Sequence, residues 1–469
     1  MQESSVIAER STDSVEGENT QAKKKYAAVG TGGRIPMFID PLVRDYPQYA
    51  ELVGLCDVSP TRANYHRERL QADYGYHDVP TYAAADFDRM IAETNPDVVI
   101  VCTMDSVHHE YIVRALDLGC DVVTEKPMTT DEEKCRAIVE AVERSGKHVR
   151  VSFNYRWTPG TTKVRELLAS GVIGDIKHVN LEYQLNTSHG ADYFRRWHSQ
   201  KECSGGLLIH KSTHHFDLVN WWIDSIPSEV FAFGDLRFYG KENAIARGDE
   251  AYTGYERYSD AGDDVKEKDP FAFSMDRPSL KSLYSDAEAE SGYVRDKNVF
   301  RAGINIEDTM SVLVKYRTGI VLTYSLVAYS PLEGYRVTFS GDRGRLEYTE
   351  MHASHIIAGQ SDTELAKEQK EGGGHKLHIR VIPHFQEGYT VEVQAAEGSH
   401  GGGDKLIQEQ IFSPNPPEES MGRGAGHEQG AASILIGVAA NKSIATGEKV
   451  QIDDLCPLRP EAKHLSELV

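Results

Sequence analysis

The stretch Ala28-Val29-Gly30-Thr31-Gly32-Gly33-Arg34-Ile35 decides how this chain is read. The apolar run Tyr26–Val29 leads into it, and a segment with Pro36 near its start follows, so the glycines lie between a strand and a helix. Gly30 and Gly32 permit a tight turn and close backbone approach, and amides at the helix N-terminus then hold a pyrophosphate, with Gly33 and Arg34 beside it. The third glycine of G-x-G-x-x-G is missing and Ile35 takes its place, so the motif needs context. Asp57 supplies it, 27 residues after Gly30 at the end of the next apolar run, Leu52–Cys56. A carboxylate there accepts from an adenosine ribose, which favours NAD because a 2′-phosphate would meet like charge. Arg62 tempers that preference and leaves NADP as the less favoured cofactor. The plainer reading of Asp57 is a helix-entry residue ahead of Ser59.

Outward from this stretch, Asp97–Cys102 (DVVIVC) is continuous and β-branched, as a strand buried on both faces requires, and Asp121–Thr124 and Val149–Phe153 are further strands. Helices alternate with them. One starts at Ser59-Pro60, and another at Thr130, where Thr130-x-x-Glu133 reads as a capping box and Gly146 as the stop. Residues 25–153 therefore read as a doubly wound α/β domain of Rossmann type.

After Asn154 the pattern changes. Helices are expected over Thr162–Ser170 and His214–Ile223, and long strands over His178–Leu185, Glu229–Phe238, Thr309–Tyr316, Ile320–Ala328, Tyr335–Ser340 and Arg345–Thr349. Thr318-Gly319 and Arg343-Gly344 read as hairpin turns, so residues 154–469 form an α+β domain with a large, mostly antiparallel sheet. Two stretches interrupt it, near 249–300 and 359–417. The first carries 13 acidic residues against 6 Lys+Arg over Asp249–Asp296, and the second has GGG at 372–374 and 401–403. Both read first as solvated loops, and otherwise as a lid or partner surface. Residues 1–24 are polar, without a hydrophobic signal core, and read as a disordered tail.

The length of 469 residues allows two or three domains, and 40% hydrophobic residues allow a sizeable core. A net charge of −21 argues against nucleic acid and anionic membrane surfaces as partners, and no apolar run has the ~20 residues of a membrane span. The six cysteines form no CxxC pair, so they read as reduced thiols in the cytoplasm.

Several further motifs now come together. Thr103-Met104-Asp105-Ser106-Val107-His108, Glu125-Lys126-Pro127 and Asn154-Tyr155-Arg156 precede Gly205-Gly206-x-x-x-His210-x-x-x-His214-x-x-Asp217. Ile434–Val450, with Ala439-Ala440-Asn441 and Thr446-Gly447, closes the series. Together they resemble the Gfo/Idh/MocA family of sugar and polyol oxidoreductases, from about Lys25 to about Leu455. The resemblance implies cofactor contacts from Thr103, His108, Glu125 and Lys126. It places Lys126 near the reacting carbon and makes His214 the acid/base group. Met104 and Asp105 stand where the family has Pro and Asn, and His210 stands where it has Asp.

The chemistry suits these residue types. A histidine titrating near neutrality takes the hydroxyl proton as a secondary alcohol is oxidised, and a lysine ammonium stabilises developing alkoxide charge. On one helix, positions 210 and 214 share a face, so His210 either binds sugar hydroxyls or serves as the base itself. The same spacing would suit a divalent metal, but no third ligand stands nearby, and no metal is assigned. Tyr155, Arg156, Tyr193, Arg195, Arg196, Trp197 and Lys211 are candidate contacts for a polyhydroxylated ring, with His375, His400 and Asp404 as outlying candidates. His108 reads equally as a packing or backbone-bonding histidine.

The expected activity is hydride transfer between NAD(H) and a secondary hydroxyl of a sugar, glycoside or cyclic polyol, in a homo-oligomer (dimer or tetramer). A redox-neutral glycosidase with retained NAD is the alternative, and a catalytically silent sugar sensor the third.

Overall fold

A computed structural model describes residues 22–353, 376–393 and 402–469. Strands β1 (Lys24–Val29), β2 (Ala50–Asp57), β3 (Thr81–Ala83), β4 (Val98–Val101), β5 (Asp121–Thr124) and β6 (Val149–Val151) form a parallel sheet in the order 3-2-1-4-5-6. That order reverses between β1 and β4, which opens a ligand crevice at the C-terminal ends of the strands. The helices α1 (Pro36–Arg44), α2 (Pro60–Tyr74), α3 (Phe87–Thr94), α4 (His108–Asp117) and α5 (Glu132–Ser145) connect them.

Ser59 caps α2 by accepting from the Arg62 amide, with Pro60 at the first helical position. The expected box at Thr130 does not form. Asp131 caps α5 from one residue further on, accepting from the Lys134 amide at 2.9 Å, while the buried Thr130 hydroxyl accepts from Lys134 Nζ. A carboxylate is the better acceptor for helix-end amides, and α5 starts where it stands.

Among the described residues the second sheet has nine strands. These are β7 (Ile176–Asn186), β8 (Pro227–Asp235), β9 (Thr309–Tyr316), β10 (Val321–Ser330), β11 (Glu333–Gly341), β12 (Gly344–Ala353), β13 (Lys376–Pro383), β14 (Tyr389–Val391) and β16 (Val450–Gln451). All neighbours run antiparallel except β7 and β10. Residues alternate between buried and exposed along β9 and β10, so one face carries the core and the other faces out. The long buried helix His427–Thr446 packs on β8 and reaches α5, and the short strand β15 (Ala425–Gly426) adds to the edge of β6. The second half of the chain thus completes the first sheet, which its sequence did not announce.

Where they are described, both interruptions are largely exposed but carry structured, anchored segments. The first forms short helical turns anchored by the buried Leu283 and Tyr284, and Arg257 pairs with Glu288 and Asp296. The second supplies β13 and β14, and then the helix Gly403–Phe412, whose Phe412 ring meets Tyr26 edge-on at 5.4 Å. His375, His400 and most of the N-terminal tail lie outside the described residues.

Candidate active site

One cleft of about 1180 Å³ runs from the glycine loop across the crevice to the buried face of the second sheet. It exceeds the ~300–1,000 Å³ of a single small-ligand pocket and leaves room for a dinucleotide and a substrate. At its head Gly30 has φ +87°, and a Cβ there would stand 2.5 Å from the Cys102 carbonyl, so only glycine fits. Gly32 faces open space, where a pyrophosphate would lie against the backbone, and the Gly33 amide donates to the Tyr284 hydroxyl at 3.3 Å. Asp57 closes this end. Its Oδ2 accepts from the Thr31 amide (2.5 Å) and hydroxyl (3.0 Å), and its Oδ1 from the Ser59 amide (2.8 Å). Asp57 is therefore both a helix-entry residue and part of the cleft wall. The glycine cradle with a carboxylate at the end of β2 fits an adenine dinucleotide.

Arg34 leans away from the glycine loop, with Nε 2.6 Å from Glu125 and Nη1 3.6 Å from Asp404. Glu125 also accepts from the Lys126 amide at 2.9 Å, and Arg34 and Lys126 hold its buried carboxyl below the ordinary range despite desolvation. Asp404 does not line the cleft; it accepts from Asn154 Nδ2 at 2.7 Å and steadies Arg34. His108 lines the wall beside Thr103, with Nδ1 2.8 Å from the Pro127 carbonyl and Nε2 3.1 Å from the Thr103 carbonyl. It sits between the two loops, and burial pushes its pKa down against the pull of the two carbonyls.

The reactive groups meet at the centre. Lys126 follows β5, before a cis peptide to Pro127, and its Nζ lies 3.3 Å from the His210 carbonyl. Burial lowers Lys126 to about 8, against the pull of Glu125 and Asp105. His210 ends the short helix Leu207–His210, and a new helix, Thr213–Ile223, begins after Lys211-Ser212. His210 and His214 are thus not on one continuous helix, because the Ser212 amide reaches back to the Leu207 carbonyl and breaks the run. Both still line the cleft.

His210 Nδ1 lies 2.5 Å from Asp105 Oδ2, and both side chains are buried. Burial pushes the Asp105 carboxyl up against the pull of Lys126, and burial and the Lys126 charge push His210 down. His210 Nε2 bonds to no described residue. His214 stacks on Tyr155, with centroids 4.2 Å apart at 14°. Tyr155 OH accepts from Lys211 Nζ at 3.2 Å.

Beyond lies a polar wall that the sequence reading largely missed. Tyr193 OH is 2.9 Å from His189 Nε2, and His189 Nδ1 is 2.7 Å from Glu333. His189 and Lys211 hold Glu333 at about 2, although burial opposes them. Trp197 stacks on His198 at 3.6 Å, and Arg196 donates to the Tyr293 hydroxyl at 3.1 Å.

Two expected substrate contacts are corrected. Arg156 is fully buried and does not line the cleft; it pairs with Asp217 through Nη2 (2.6 Å) and Nε (2.8 Å). The Asn-x-Arg turn and the final Asp of the downstream motif are therefore two halves of one structural ion pair. Arg195 donates to the Phe271 carbonyl and also lies outside the cleft lining. Among the described residues, no group of three or more metal-ligating side chains comes together, and no helix is long and apolar enough to cross a membrane.

Residues 24–153 match the description "Oxidoreductase family, NAD-binding Rossmann fold", and residues 165–452 match "Oxidoreductase family, C-terminal alpha/beta domain". YteT of Bacillus subtilis (strain 168) is 36% identical over 430 residues, covering 89% of this chain and 95% of that protein. The D-glucoside 3-dehydrogenase of Escherichia coli (strain K12) is 32% identical over 126 residues, 27% of this chain and 34% of that one. Among solved structures, the WlbA dehydrogenase from Bordetella pertussis, in complex with NADH and UDP-GlcNAcA, shares the fold. Its TM-score is 0.57 at 16% identity, over 92% of this chain and 99% of that one. With both halves matched and the glycine loop, Glu125-Lys126-Pro127 and the His210–His214 stretch gathered on one cleft, the chain belongs to the Gfo/Idh/MocA oxidoreductase family and is an enzyme of dehydrogenase type.

Proposed function

We propose that this enzyme oxidises a secondary hydroxyl of a sugar, glycoside or cyclic polyol with NAD, and reduces the ketone in reverse. The observation that carries the reading is the Asp105–His210 pair beside Lys126 in the cleft that begins at Gly30. Bound NAD supplies the two-electron acceptor. The remaining work falls to the chain's own side chains. Gly30, Gly32, Gly33, Asp57 and Thr103 seat the dinucleotide, with Arg34, Glu125 and His108 holding that wall in place. His210 Nε2 takes the hydroxyl proton, while Asp105 keeps Nδ1 protonated and favours the imidazolium as it forms. The Lys126 ammonium stabilises negative charge on the oxygen as the proton leaves. His214, Tyr155, Lys211, Arg196 and Trp197 bind and orient the ring, the aromatic faces against C–H surfaces and the cations toward oxygens.

The charged wall of Glu333, His189 and Lys211 suits a substituted sugar better than a small polyol, because it offers donors and acceptors beyond the reacting carbon. Tyr284 lies over the Gly33 amide at 3.3 Å, and such cover also suits a retained cofactor and the redox-neutral glycoside cleavage. Following absorbance of NADH across a panel of glycosides and polyols tests the reading. Steady NADH growth supports net oxidation, product release without it supports the redox-neutral reaction, and neither with any substrate rejects both. All six cysteines are free, in keeping with a reducing cytoplasm. Phe233, Leu313 and Val321 are exposed on the outer face of the second sheet, and we assign homo-oligomerisation to that face.

A further inference from the structure

The N-terminus of α2 gathers donors of the kind that a phosphate takes. Ser59 Oγ, the Thr61 amide, Thr61 Oγ1 and the Arg62 guanidinium stand together just after Asp57, beside the place where this fold holds an adenosine ribose. Hydroxyls, a helix-end amide and a guanidinium are the donors that a ribose 2′-phosphate would use. Read from these residues alone, the chain has the makings of an NADP site.

In the folded chain each of those donors is already engaged, by residues some 220–230 positions away. Glu290, in the turn Glu288–Ser291, receives Ser59 Oγ and the Thr61 amide on Oε2, the latter at 3.2 Å, and Thr61 Oγ1 on Oε1 at 2.8 Å. Arg62 donates to the Leu283 carbonyl and to Ser291 Oγ, each at 2.8 Å, and its Nη1 lies 3.6 Å from Asp57. The Ser59 and Thr61 hydroxyls hold the Glu290 carboxyl below its ordinary range, so it is an anion at neutral pH.

We propose that Glu290 is the coenzyme-specificity residue, an internal stand-in for the 2′-phosphate brought onto the dinucleotide domain by the acidic insertion. It occupies the donors that a 2′-phosphate needs and adds a second negative charge next to Asp57. NADP must displace it, whereas NAD, with a free 2′-hydroxyl facing Asp57, need not. The specificity therefore comes partly from repulsion and partly from occupied donors, and half of it is encoded in the other domain. The inference rests on the dinucleotide reading and deepens it.

Direct binding tests it without turnover. NAD, NADP and the fragment 2′,5′-ADP are titrated by calorimetry into wild type, Glu290→Ala and Glu290→Gln, with thermal melts to confirm folding. Wild type is expected to bind NAD well over NADP and to ignore 2′,5′-ADP. Glu290→Ala should shift the NADP-to-NAD preference toward NADP by roughly tenfold or more and gain binding of 2′,5′-ADP. Glu290→Gln, which keeps the shape and loses the charge, should fall between and decides the matter if the alanine variant does not fold. NAD binding with an unchanged preference in the folded variants overturns the role of Glu290 and leaves the NAD reading intact. Wild type binding NADP as tightly as NAD also overturns it, and wild type binding neither overturns the dinucleotide reading itself.

Discussion

Asp105 Oδ2 and His210 Nδ1 lie 2.5 Å apart, and both positions are among those at which the chain departs from the family's motifs. The carboxylate expected four residues before His214 is not lost; it has moved across the cleft to the loop after β4, and an imidazole stands between it and the substrate space. Lys126 bears on both members, pulling the Asp105 carboxyl down against burial and pushing His210 down with it. The pair's geometry turns His210 Nδ1 to Asp105 and leaves Nε2 for the cleft.

Removing the imidazole should separate the two histidines. His210→Ala is expected to lower kcat by about 10²–10⁴, the range for a positioned acid/base group, with little change in dinucleotide affinity. His214→Ala should act mainly on KM, since His214 lies flat on Tyr155. Steady-state kinetics with a calorimetric Kd for NAD check both, and equal kcat losses would reverse the assignment of roles.

The pH profile follows from Lys126. Its pKa is lowered to about 8, so the ammonium is lost as pH rises through that value and the alkoxide loses its counter-charge. His210 is pushed down, so it stays unprotonated through neutral pH and adds no limb there. The kcat/KM for alcohol oxidation should therefore fall on the alkaline side with an apparent pKa near 8. Glu125 pulls the Lys126 pKa up; Glu125→Gln should move that limb to lower pH. An alkaline limb that stays in place would remove Lys126 from the mechanism.

Much of this was legible from residues alone. The glycine loop and Asp57 specify a strand–turn–helix cradle by backbone requirement, and the continuous β-branched run Val98–Val101 specifies a strand buried on both faces. Both signals are local. What was not legible depends on partners distant in the chain. Arg156 looks like a sugar ligand until Asp217 is found against it, and Thr130 looks like a cap until Asp131 competes. The insertion looks solvated by composition, because its acids are counted before their cationic and hydroxyl partners are known. Asp105 carried a readable signal, since two departures from one motif set, at 105 and 210, compensate each other in charge.

Arg156 should matter for stability rather than for substrate. Arg156→Met leaves Asp217 buried and unpaired, a loss of about 3–5 kcal/mol, whereas Arg156→Met with Asp217→Leu should recover much of it. Denaturant unfolding reads the difference. A raised KM with unchanged stability would return Arg156 to the substrate.

Gly30→Ala tests the cradle. The residue has φ +87° and an added Cβ would meet the Cys102 backbone at 2.5 Å. The variant should lose dinucleotide binding and melt at lower temperature, because β1 and β4 must part to admit the methyl group. Unchanged NAD affinity would place the cofactor elsewhere.

The most direct measurement is single-turnover oxidation by Asp105→Asn, with NAD bound and substrate saturating. Asparagine keeps the shape at 105 but cannot stabilise the His210 imidazolium. The rate should fall by about a hundredfold or more while NAD affinity and the melting temperature stay close to wild type. A folded, NAD-saturated Asp105→Asn enzyme turning over at the wild-type rate would contradict the account.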